Sequence, residues 1–146
     1  MTLQGSTDSG MERVLEDQIR TAEAMLGTLD SENRALLDND ADALNSAATN
    51  KTRLLQTLES LERERRQIAD MTQISPEGEA TSDRWQHLLE LMQECRKRNQ
   101  SNGALVKVRR DQLMQVMKIV SGPQVELYDA KGAGPNRGSQ HRLGRA

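Results

Sequence analysis

Met11, Leu15, Ile19, Ala22, Leu26, Leu29, Asn33 and Leu36 recur at alternating intervals of three and four, the spacing that stacks side chains on one face of an α-helix. Just ahead of this stripe, Ser9-x-x-Glu12 has the form of a capping box, in which the serine hydroxyl accepts from an early amide and the glutamate reaches back. The pattern predicts a helix over about residues 10–37, with residues 1–9 as a flexible lead. Asp38-Asn39-Asp40 then supplies short polar side chains suited to a turn and a cap. A second stripe, Leu44, Ala47, Leu54, Leu58, Leu61 and Ile68, places a helix over 41–72. Leu37 and Leu44 lie one heptad apart with neither Gly nor Pro between them, so an unbroken rod is the competing reading.

Lys51 and Arg65 interrupt the second stripe, which predicts packing along their aliphatic stems. Ser75-Pro76-Glu77-Gly78 ends any helix, since proline disfavours the helical conformation of the residue before it. Ser82 is placed to cap the third and most regular stripe: Trp85, Leu88, Met92, Cys95, Asn99, Asn102, Val106, Arg109, Leu113, Val116 and Val120. That helix, over 83–121, closes at Gly122-Pro123. Isolated helices of this kind are marginal in water, so the stripes must bury one another, and short connections make neighbours antiparallel. The predicted fold is all-α: an elongated antiparallel three-helix, coiled-coil-like bundle over residues 10–121, followed by a flexible tail over 122–146.

Composition narrows the chemistry. The chain has 146 residues, no Phe, and only Trp85 and Tyr128 as aromatics, a poor basis for β-sandwiches or nucleotide pockets. Cys95 is the only cysteine, which excludes an internal disulfide and a cysteine-based zinc cluster; no metal or cofactor is expected. The polar start, and the lack of any run near the roughly 18 apolar residues of a membrane span, predict a soluble cytoplasmic protein without an export signal. Charge is unevenly distributed: residues 1–75 carry 8 basic and 14 acidic side chains, residues 76–146 carry 12 and 8. Opposite signs favour association of the two halves, although each exposed pair is worth little.

Catalysis finds few candidates. His87 is the one residue that would serve a histidine phosphotransfer protein, yet Leu88, Leu89, Glu90 and Leu91 beside it offer a phosphate no cation. The alternative is an ordinary histidine near a helix start, and the chain is read as a non-enzyme. Cys95 lies on the core stripe and reads as a buried structural thiol. Arg96, Lys97, Arg98, Lys107, Arg109 and Arg110 form a cationic run with no acid in it. With no aromatic nearby to stack on bases, the run is read as facing the acidic first helix, and nucleic acid is not an expected partner.

Asn99 and Asn102 occupy successive stripe positions, where polar side chains set register in coiled coils; exposure where the bundle ends is the alternative. Between Leu113 and Val120 six of eight residues are apolar, too wide a distribution for one seam. A further partner is therefore expected on Leu113, Val116, Met117 and Val120, either a foreign helix or a second copy in a homodimer or coiled-coil scaffold. Leu127 and Tyr128 then form a compact apolar anchor in the tail, suited to recognition or to folding back on the bundle. Residues 133–146, with scattered glycines and Arg137, Arg142 and Arg145, are expected to be disordered and are given no role.

Three stretches stand out: Lys51-x-x-Leu54-Leu55-x-x-Leu58-Glu59, Asn99-x-x-Asn102-Gly103 in a long last helix, and Leu127-Tyr128-Asp129-Ala130-Lys131-Gly132 in the tail. With the all-helical layout they resemble the FlgN family of flagellar export chaperones, over nearly the whole chain, and the tail motif is the most distinctive. The resemblance implies a cytoplasmic chaperone that binds the C-terminal helical regions of the hook-filament junction proteins FlgK and FlgL and delivers them to the type III export gate. It further implies that Tyr128 contacts the gate component FlhA.

Overall fold

The computed structural model describes residues 2–73 and 81–121. Three helices account for nearly all of them: α1 (Thr2–Asp38), α2 (Ala41–Thr72) and α3 (Ser82–Ser121). The protein is a helical bundle, with no strand among the described residues. The turn between α1 and α2 is closed by backbone amides on the α1 side and by the Asp40 side chain on the α2 side. Asn39 adopts the left-handed conformation at φ 56°, which asparagine tolerates better than most residues. The Asp40 amide then donates to the Ala35 carbonyl at 3.0 Å and the Asn39 amide to Leu36, a Schellman closure of α1. Asp40 also caps α2, its carboxylate accepting from the Ala43 amide at 3.0 Å. The unbroken rod is thereby ruled out.

The backbone is helical from Thr2, so Ser9 lies inside α1 and not at its cap, and the predicted lead over residues 1–9 is helix from residue 2 onward. A helix already nucleated gains one hydrogen bond for each residue it adds, and this stretch has no proline to stop it. The predicted loop at Ser75-Pro76-Glu77-Gly78 lies outside the described residues.

The chain divides into two compact units, Met1–Ala104 and Leu105–Ala146. Within the first unit Arg13 pairs with Glu64 and Lys51 with Glu32, so α1 and α2 are antiparallel. Arg84 pairs with Glu16 and Arg98 with Asp30, so α1 and the first half of α3 run parallel. One end of the core gathers Met11, Val14, Leu15, Ala22 and Leu88. Its continuation is Met25, Leu29, Leu54 and Cys95. Each Val, Leu or Met among them, taken fully out of water, contributes roughly 1.5–3 kcal/mol before the entropy of ordering is subtracted.

The two interruptions of the α2 stripe are answered by neighbouring helices. Lys51 Nζ lies 3.2 Å from Glu32 Oε2. Arg65 stands over the Trp85 ring, 5.1 Å from its centroid, and forks onto Glu62 with bonds of 2.9 and 2.6 Å. Gln18 and Arg66 donate to the same carboxylate. The Arg65 hydrogen bonds, outweighing the opposing effect of burial, hold the Glu62 carboxyl down to about 2 from an ordinary 4.5. A depressed carboxyl contributes stability that is complete above the unfolded value and is lost as pH falls towards the folded one. Wild-type protein is therefore expected to lose stability between about pH 4.5 and pH 2 more steeply than a Glu62→Gln variant. Urea midpoints measured across that range check it; parallel curves would show that Glu62 carries none of the acid sensitivity.

Candidate partner-binding face

In the second unit the described residues are the last turns of α3, residues 105–121. Leu113 is 59% exposed, Val116 54%, Met117 44% and Val120 78%. Ile119 beside them is 84% exposed. Those values contrast with 0% for Leu15 and 1% for Leu29 in the first unit. Leu113, Val116, Met117 and Val120 thus form one uncovered apolar strip along the helix, a contiguous patch of the kind that marks interaction surfaces. Leu127 and Tyr128 lie outside the described residues.

The two asparagines of the α3 stripe part company. Asn102 is buried, and its side-chain amide donates to the Leu29 carbonyl at 2.9 Å and to Glu32 Oε1 at 2.8 Å. Its oxygen accepts from Asn33 Nδ2 at 3.1 Å. Since Lys51 also bonds Glu32, one polar network ties all three helices at the end of the first unit. Asn99 is exposed, which corrects its assignment to the core. Three residues turn a helix by about 300°, so the two side chains point in different directions and only Asn102 meets α1.

Asn99 instead borders a cleft between α2 and α3, of about 260 Å³, whose apolar floor includes Met25, Leu55, Leu58 and Met92. Cys95 is buried beneath it, its thiol donating to the Ala22 carbonyl at 3.5 Å, and burial raises its pKa. That makes it a poor nucleophile at neutral pH. His87 is exposed. Of the cationic run, Arg98 bonds Asp30 on α1 and Glu94 on its own helix, whereas Arg96, Lys97, Lys107 and Arg110 are exposed. The sequence pattern missed Gln18, which is buried against Glu62 on the α1–α2 side. Its neighbours Val14 and Met25 are buried as well, so the buried face of α1 is centred nearer these positions than the Ile19–Leu26 line suggested.

Among the described residues no three His, Cys, Asp or Glu side chains are gathered to hold a metal ion, and no helix is long and apolar enough to cross a membrane. These features define an all-helical protein with an uncovered apolar strip on its last described helix. The chain matches the family described as FlgN protein over residues 1–135 and belongs to it, a family of flagellar export chaperones. No curated protein and no solved structure matches it.

Proposed function

We propose that this chaperone holds the C-terminal helical regions of the junction proteins FlgK and FlgL in the cytoplasm, seating them on Leu113, Val116, Met117 and Val120. The observation that carries this reading is the exposure of those four side chains, from 44% to 78%, along one line of one helix. A cargo helix that has not yet met its partners in the filament has an apolar face to cover, and adding it to a second helix removes both faces from water. Leu127 and Tyr128, in the segment after α3, are proposed to engage FlhA, which leaves cargo and gate with separate surfaces. The function is binding alone and involves no cofactor.

Co-expression with FlgK or FlgL tests the assignment. Leu113→Ser combined with Met117→Ser is expected to reduce co-purified cargo at least tenfold, since two central apolar anchors are removed, while leaving stability within about 0.5 kcal/mol. Tyr128→Ala is expected to keep cargo and lose FlhA. Undiminished cargo binding by the double variant would overturn the placement of the site.

A further inference from the structure

We propose that the cleft between α2 and α3 is a second docking site, which takes an amphipathic helix by one large apolar side chain and by a carboxylate one turn away from it. Every residue that lines the cleft belongs to the first unit, so the inference stands apart from the strip between Leu113 and Val120. Leu55 on α2 and Met92 on α3 are exposed, beside the buried Met25, Leu29 and Cys95. An apolar cavity of roughly 150 Å³ holds a benzene-sized guest. The cleft, at about 260 Å³, therefore admits a leucine or phenylalanine side chain. An open apolar groove flanked by two helices is a setting in which an amphipathic helix lays down its apolar face.

The polar part of the lining decides what that helix carries. Lys51, Arg96 and Asn99 complete the cleft, and no carboxylate lines it. Lys51 is already bonded to Glu32. Arg96 and Asn99 are exposed and, among the described residues, neither has an ion pair or a side-chain hydrogen bond. Three residues apart, they are neighbours on one side of α3. The other neighbours of Arg96 at helical spacing, Met92, Gln93 and Gln100, include no acid. Glu59, one turn along α2 from Leu55, does not line the cleft. A guanidinium beside a primary amide offers a carboxylate several N–H donors. An incoming lysine meets Arg96 as a like charge, and an uncharged helix covers Arg96 and Asn99 without answering their donors. On a helix, an apolar residue and a glutamate three or four positions away share one face, so a single occupant fills the floor and meets the donors together.

The probes are amphipathic helical peptides with capped ends and one leucine stripe, carrying glutamate, glutamine or lysine one turn from a central leucine. The full chain, isotope-labelled at its methionine methyl groups, is titrated with each peptide by NMR at about 50 mM salt. Met25 and Met92 report on the cleft, and Met117 on the strip. The glutamate peptide is expected to shift the Met92 signal and to bind about tenfold more tightly than the glutamine peptide, with the lysine peptide weakest. Arg96→Gln is expected to erase that preference, and Leu55→Ser to weaken binding of all the peptides, with the helicity of both variants checked by circular dichroism. Equal affinities read at Met92, or a preference that survives Arg96→Gln, would overturn the inference. So would the absence of any Met92 shift. A titration that moves Met117 alone overturns it while leaving the reading of the strip as a helix-capturing face intact. Met92 shifts that follow protein concentration without peptide and vanish in Leu55→Ser also overturn it, since the cleft then holds a second copy of this chain.

Discussion

Leu15→Ala is expected to lower the unfolding free energy of the first unit by about 3 kcal/mol, whereas Leu113→Ala shifts it by less than about 0.5 kcal/mol. The two leucines share a helix type and a stripe position, so helix propensity does not separate them. Burial does: Leu15 is 0% exposed and packed in the cluster with Met11, Val14 and Leu88, whereas Leu113 is 59% exposed. Truncating Leu15 removes apolar contact area and leaves a cavity between helices that have few other ways to collapse. Truncating Leu113 removes area that was already in water. Urea unfolding followed by circular dichroism measures both. A large loss for Leu113→Ala would show that its side chain is covered in solution, and the partner-binding face would fall with it. A small loss for Leu15→Ala would mean that α1 packs with a different face inward.

The sequence made the elements legible because three stripes of 3.6-residue period are long and little interrupted. The α1–α2 turn was readable in chemical detail, since Asn39 and Asp40 are the residue types that such a closure uses. The depth of burial along each stripe was harder to read. A period states which side faces inward, but not how many neighbours stand there, so Asn99 and Asn102 looked equivalent until α1 was placed beside one of them. Gln18 was hidden for the same reason: a polar residue is excluded from a stripe by type, and only Glu62 on the next helix shows how burial became tolerable. The candidate face was visible as an excess of apolar residues between Leu113 and Val120, too many for one seam.

Asn102→Asp changes a single group in the polar network, and its expected cost is about 3 kcal/mol at neutral pH. The wild-type amide uses its nitrogen as a donor to the Leu29 carbonyl and to Glu32 Oε1, and its oxygen as an acceptor from Asn33. A carboxylate keeps the acceptor and loses the donor. It then sets an anionic oxygen about 2.8 Å from Glu32 Oε1 and against a carbonyl, in a site where Asn102 is 3% exposed. Lys51, at 3.2 Å from Glu32, supplies one positive charge to two carboxylates. Burial and the like charge both raise the pKa of the introduced acid above its unfolded value, so protonation is favoured in the folded state. The sign follows: the defect is largest at high pH and shrinks as pH falls through the raised value, because the protonated acid regains a donor. Urea midpoints for wild type and Asn102→Asp, taken at about pH 7.5 and pH 5, should therefore converge towards the acid side. Asn102→Leu removes the charge problem but strands the Asn33 amide, and its loss should not vary with pH in this way. A pH-independent difference for Asn102→Asp would mean that the three-helix network opens to water, leaving the register of α3 against α1 to the apolar contacts of Leu88 and Cys95 and to the ion pairs of Arg84 and Arg98.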